Sequence, residues 1–451
     1  MEYYTKAQTV VFYFMKFVFA MMLGGAIFAA VLFSSKSNRS FNSKDVNETL
    51  PSEGASAEKE VSPDQLLRLF PTELKPIETF PRMLDLVELK KVTKRLAPVW
   101  PDFKIYKVTH AVELWGRGVE FPAENYPSIY EDNRSPYSTK ELFQCLLNTE
   151  KHEEMSHGEP PLLFRTKWGI GVRNNNPRTI STEGSIKHED ALLSILAESG
   201  MSISEPVIVS GRSFSVKDLV LNSMMEFDEE QELEWTLNSL ARYLQPGQHA
   251  WKGTNGKDVS LDIITNKLLD QSFGSGACYG THAVYSLAVI SRLDETSSFL
   301  LPETRRRIDH YFEEVVESLI NTQTARGAWP KYWHKSIFLT DYEKKSNMPS
   351  FRQEPFQEIL STGHHLDWIA IAPLRYRPPV ECITRACLFT LNHIKQVPTP
   401  KIAFFYIQFT HAIRGVCFLS GVHPGVLVLT SDHDLRMFNF PRYTVITKAP
   451  E

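Results

Sequence analysis

The residues best able to do chemistry in this chain stand at the starts of apolar segments. His188 and Asp190 precede one such segment, His282 opens another, and His364, His365 and Asp367 lie in a third. A histidine at a helix start can act as acid, base or metal ligand, and its titration near neutrality suits proton transfer. The alternative for each is structural: a ring that hydrogen-bonds a backbone group and packs where the helix begins. Trp235, Trp251, Trp329, Trp333 and Trp368 allow a similar pair of readings, as the lining of a cavity for a sugar or isoprenoid, or as plain core.

Several chemistries are excluded. His152-Glu-Glu-Met-Ser-His157 is one residue too long for H-e-x-x-H, and its spacing turns the two imidazoles off a common helix face. There is no G-x-S-x-G, phosphate-binding glycine loop or dinucleotide fingerprint, so no cofactor is expected. A net charge of -4 offers no concentrated basic surface, so no nucleic-acid partner is expected either. Cys145, Cys278, Cys382, Cys387 and Cys417 are odd in number and scattered, which is neither a disulfide framework nor a Cys-x-x-Cys site.

Helices must position these residues. From residue 186 the apolar positions recur with helical period, most clearly at Ile308, Tyr311, Phe312, Val315, Val316 and Leu319, a single stripe on one face. Between such one-sided helices lie segments apolar nearly all round, Ala283 to Ile290 and Leu366 to Ala372. That alternation predicts buried inner helices covered by outer ones. GACYGTHAVYSLAVI (276–290) and STGHHLDWIAIAP (361–373) also share a plan, with Gly and then His at the start of a buried helix after an aromatic segment. Stacked helix pairs with internal repetition predict a mainly α fold, an α/α toroid over 186–420. In such a toroid the polar residues at inner-helix N-termini face a central cavity.

Ahead of that domain the chain has a different character. After a short N-terminal segment (1–9), FVFAMMLGGAIFAAVLF (17–33) carries no charge; extended back to Val10 past Lys16, it is long enough for one transmembrane helix over 10–33. The bilayer is thus an expected partner. The polar stretch 34–62 reads as a disordered tether. Residues 63–185 read as a proline-rich wrapping region with one helix near Met83 to Leu96 and extended chain or a hairpin over Leu162 to Arg173; 421–451 reads as an irregular tail. The bulk of the chain is expected at the membrane, outside the cytoplasm.

The segment Gln323-Thr-Ala-Arg-Gly327-Ala-Trp329, with Leu319 four positions ahead of it, resembles the Q-x3-G-x-W repeat of terpenoid cyclases and protein prenyltransferases, which are α/α toroids. The whole chain also resembles uncharacterised membrane-anchored proteins of planctomycete-type bacteria. The toroid resemblance implies that Gln323 and Trp329 are structural, tightening the wall. No D-x-D-D acid motif is present. Prenyltransferases hold zinc with an Asp, a Cys two residues later and a distant His; Cys278 and His364 or His365 are the counterparts, but position 276 is Gly. With two ligands where three are the usual minimum, no metal site is expected. The expected function is ligand or partner binding at the envelope; the alternatives are an enzyme acting on an isoprenoid or polysaccharide from a His/Asp-lined cavity, and a structural scaffold. A cavity in which His188, His282 and His364 or His365 converge within hydrogen-bond reach of one point favours the enzyme; the same side chains buried separately and bonded to backbone favour the scaffold.

Overall fold

A computed structural model describes residues 62–76, 84–100, 102–122, 135–157, 159–173, 188–334 and 356–437. The span expected over 10–33, the segment 1–9 and all but the end of the 34–62 tether lie outside these residues. Among the described residues no helix is long and apolar enough to cross a membrane. They form sixteen α-helices and three two-stranded antiparallel hairpins, and the chain from Glu60 onward makes one unit. The fold is mainly α.

Residues 63–185 hold more helix than their prolines suggest. The expected helix runs Leu86–Lys94 (α1), started by Asp85, whose carboxylate accepts from Val87 N, and finished by Lys91 and Lys94, which suit the negative helix end. Ile105–Trp115 (α2), Thr139–Leu147 (α3) and Thr149–Met155 (α4) follow. Pro101 and Pro136 precede these helices and do not interrupt them, which is where proline is tolerated. A full Ser138/Glu141 capping box starts α3. The expected hairpin is Leu163–Arg165 (β1) paired with Ile170–Val172 (β2).

Six helices form a closed chain of neighbours. Ala191–Glu198 (α5) packs on Leu233–Tyr243 (α7), α7 on Thr281–Ser297 (α9), and α9 on Gln357–Ile371 (α11). Then α11 packs on Tyr406–Leu419 (α14), α14 on α2, and α2 on α5. Every residue of α7 is buried, as is all of α11 from Ile359. One-sided helices lie between them in sequence. These are Val216–Met225 (α6), Leu261–Leu269 (α8), Pro302–Thr322 (α10) and Val380–Gln396 (α12). On α10 the buried stripe is Ile308, Phe312, Val315 and Leu319, as its period predicts. Thr399–Phe404 (α13) precedes α14, and Pro424–Leu429 (α15) and Asp432–Met437 (α16) give order to a segment expected to be irregular.

Glycines set the tightest crossing. A Cβ on Gly363 of α11 would lie 2.5 Å from Ala412 N, and one on Gly415 of α14 would lie 2.7 Å from Asp367 N. The two backbones touch, so His364 and Asp367 are pressed against His411 and Arg414.

The Gln323–Trp329 segment docks the end of α10 on α12. Gln323 Nε2 donates to Cys382 O at 2.7 Å and to Gly327 O at 3.0 Å, and its Oε1 accepts from Arg385. Trp329 is fully buried, and its Nε1 donates to Leu319 O at 3.0 Å. Gly327 has φ 92°, and a Cβ there would sit 2.4 Å from Arg385 O. Gly327→Ala is therefore expected to cost about 3 kcal/mol or more, strain and backbone clash together. Gly421→Ala, also at positive φ (72°) but with open space around it, is expected to cost only ~1 kcal/mol. Equal unfolding midpoints for the two variants would contradict this account of the motif.

Candidate functional site

Four of the six neighbouring helices carry the same short pattern: His110-Ala-Val-Glu113 on α2, His282-Ala-Val-Tyr285 on α9, His364-His-Leu-Asp367 on α11 and His411-Ala-Ile-Arg414 on α14. Residues three apart share a helix face. The four helices thus place two polar layers one turn apart at the centre of the fold, a layer of imidazoles and a layer of Glu113, Tyr285, Asp367 and Arg414.

The imidazoles meet. Ring centroids are 4.5 Å apart for His282 and His364, 3.9 Å for His364 and His411, 5.8 Å for His282 and His411, and 5.1 Å for His110 and His411. Trp235 packs on His282 at 4.2 Å. Burial, reinforced by the neighbouring rings, pushes His282, His364 and His411 well below the usual histidine range. His110 falls to about 4, again chiefly through burial. These rings are neutral at pH 7, the form in which imidazole binds metal. Nε2 of His364 and of His411 has no hydrogen-bond partner among the described residues.

Cys278 joins from the loop before α9. Cys278, Tyr279 and Gly280 are successive left-handed residues with φ of 48°, 62° and 79°. Two of them carry side chains, at a cost of roughly 1–3 kcal/mol each, which is the kind of strain that gathers at functional sites. Glu234 Oε1 holds the loop by accepting from Ala277 N at 2.9 Å. One donor atom each from Cys278, His282 and His364 lie within 4.8 Å of one another. His282 thus offers a third donor beside Cys278 and His364, where position 276 is Gly. Donor atoms of His110, Glu113 and His411 form a second such group within the same limit.

The second layer is an ionic cluster. Arg414 donates to Glu113 Oε1 at 2.6 Å, to Asp367 Oδ2 at 3.3 Å, to Glu198 and to the Tyr285 hydroxyl at 3.5 Å. Burial drives the Glu113 carboxyl up to about 8 and that of Asp367 up to about 7, against the pull of Arg414. Burial pushes Glu198 up as well, but Arg414 and Arg242 outweigh it and hold that carboxyl below its usual value. A cavity of about 660 Å³ lies over this layer, lined among others by Glu113, Glu198, Arg242, Tyr285, Arg414 and His423. Glu198, Ile371 and Phe418 place it at the C-terminal ends of α5, α11 and α14. The sequence pointed to the N-terminal ends, where the imidazole layer begins, and the cavity itself is at the other end.

The remaining expected residues divide. His188 pairs with the Glu232 carboxylate at 2.9 Å and lies 5.4 Å from Trp235 and 6.3 Å from His282, at the margin of the imidazole layer. Asp190 is structural: its Oδ2 accepts from Thr236 at 2.5 Å and Ser223 at 2.7 Å. His365 turns away, with Nδ1 accepting from Trp368 Nε1 at 2.9 Å and its ring edge-on to Trp333. Burial lowers it to about 3. Trp329, Trp333 and Trp368 are fully buried core. His110, Glu113, His411 and Arg414 were not anticipated, although the His-x-x-polar pattern on apolar helices was there to find.

The chain matches no protein-family model, no curated protein and no solved structure.

Proposed function

We propose that this chain is an α/α-toroid enzyme, held at the membrane by its 10–33 segment, which works with a metal ion bound by Cys278, His282 and His364. The observation that carries the reading is the convergence of those three donor sets within 4.8 Å. The closed chain of inner neighbours, with one-sided helices alternating in sequence, supports the toroid. A scaffold needs no such meeting of donor side chains. Separate burial, as at His365, is what it predicts.

The donors fit the ion. A thiolate and two imidazoles are the soft and borderline ligands of a zinc-class ion, not of calcium or magnesium. Three protein ligands leave one position open, as in catalytic sites, and the buried His364 Nε2 without a partner is a donor awaiting one. Bound there, such an ion supplies Lewis acidity and an acidified water. The protein's own groups supply the rest. His188, its ring fixed by Glu232, is placed to move a proton, and the buried rings of Trp235 and His282 keep bulk water from the imidazole layer. Arg242, Arg414, Glu113 and Glu198 line the cavity. That charged lining favours a polar substrate, such as a saccharide, over an isoprenoid, and the volume suits a small molecule.

Metal analysis of the full chain, purified in detergent, tests the reading. At least one equivalent of a zinc-class ion is expected, with a loss of one equivalent in Cys278→Ser and in His282→Ala. Protein that is metal-free as purified and takes up no zinc on titration would overturn it.

A further inference from the structure

We infer that His110, Glu113 and His411 form a second metal site, beside the first, so that the protein carries a two-metal centre. The inference rests on the preceding reading for the neighbouring ion but on separate residues for its own. His110 and Glu113 lie three apart on α2 and so share a face toward α14, which carries His411. One donor atom from each of the three lies within 4.8 Å of the others. Metal–ligand bonds of ~2.0–2.2 Å hold donors up to roughly 4 Å apart, so small side-chain rotations close the set.

One ring nitrogen of each imidazole is held by an oxygen, and His411 Nδ1 also lies 3.7 Å from Glu113 Oε1. His110 Nδ1 donates to Tyr106 O at 2.6 Å, and His411 Nδ1 donates to Asp367 Oδ2 at 3.1 Å. A backbone carbonyl or carboxylate on one ring nitrogen fixes the tautomer and presents the other nitrogen's lone pair, the usual outer support of a metal-bound histidine. In His411 that other nitrogen, Nε2, is buried with no hydrogen-bond partner among the described residues. Two imidazoles and a carboxylate suit a zinc-class ion. His364 and His411, one from each set, are ring neighbours at 3.9 Å, and Glu113 and Arg414 line the cavity floor. The second ion is therefore the one nearer the cavity, where it would meet an anionic or hydroxyl-bearing group of a polar substrate.

Zinc titration of the full-length chain, read as equivalents bound after gel filtration, tests this. Wild type is expected to bind two ions. Glu113→Gln, which keeps the shape and a partner for Arg414, and His110→Asn are each expected to bind one; Cys278→Ser is expected to bind one, and Cys278→Ser with Glu113→Gln none. Circular dichroism of each variant checks that it is folded. Two equivalents retained in both His110→Asn and Glu113→Gln would overturn the second site. So would a single wild-type equivalent lost in Cys278→Ser but kept in those two variants, which leaves the first site standing. A single equivalent lost in all variants means one shared ion and overturns the second site as well. A single equivalent lost only in Glu113→Gln and His110→Asn would instead overturn the first site and keep this one.

Discussion

Gly415→Ala and Gly363→Ala are expected to be among the most damaging single-methyl changes available to this protein, each costing about 3 kcal/mol or more. The reason is the kind of atom each methyl meets. At 415 the new Cβ lies 2.7 Å from Asp367 N, Leu366 C and Leu366 Cβ; at 363 it lies 2.5 Å from Ala412 N and 2.6 Å from Ala412 Cα. A flexible side chain yields to such an intrusion at little cost, but a packed helix backbone can only move as a body. Separating α11 from α14 opens the core between them and also draws His364 and Asp367 away from His411 and Arg414. Alanine favours a helix over glycine by up to ~1 kcal/mol, so intrinsic propensity predicts the opposite sign, and the two effects are cleanly separable. Urea unfolding of the full chain in detergent decides between them. A midpoint at or above that of wild type would show that the crossing is not tight.

Arg414→Met is expected to cost on the order of 3–5 kcal/mol, because it removes the one cation shared by three buried carboxylates. Its partners Glu113, Glu198 and Asp367 stay behind, largely buried and without that cation, and the first and last already sit high, at about 8 and about 7. Met fills the volume, so the loss reports charge and hydrogen bonding more than a cavity. The signature is non-additivity. Glu198→Gln added to Arg414→Met should recover part of the loss, since residues in one ionic network couple, whereas Glu198→Gln alone should destabilise by leaving Arg414 short of a partner. Additive losses in the double variant would mean that Arg414 acts through packing alone.

Much of the architecture was legible because it depends on period. The stripe Ile308, Phe312, Val315, Leu319 read correctly since an amphipathic helix shows one face to the core. The buried helices around Ala283 and Leu366 read correctly since they are apolar all round. The hairpin at Leu163–Val172 followed from its extended residues. Of the residues that converge, His282 and His364 were singled out because each sits on a helix visibly apolar, with the two helices sharing a Gly/His plan. Their counterparts were missed for local reasons. His110 and Glu113 lie in IYKVTHAVELW, an eleven-residue helix in a proline-rich stretch taken as wrapping chain. His411 and Arg414 lie in a largely apolar helix, where two isolated polar residues carry no sign of their neighbours. What joins them is long-range: α14 meets α2 across about three hundred residues of chain, as the contact of Arg414 with Glu113 shows. No local pattern encodes that meeting. Only the recurrence of His-x-x-polar on four helices hints at it. Asp190 and His365 lie apart from that convergence: Asp190 Oδ2 accepts from neighbouring hydroxyls, and His365 Nδ1 accepts from the Trp368 indole.

The most direct test of the proposed metal centre is X-ray absorption at the zinc edge on the full-length protein loaded with zinc. A sulfur scatterer is expected at ~2.3 Å beside nitrogen or oxygen at ~2.0–2.1 Å, with the sulfur contribution abolished in Cys278→Ser. A zinc shell of nitrogen and oxygen alone in the wild type, unchanged by that substitution, would contradict it.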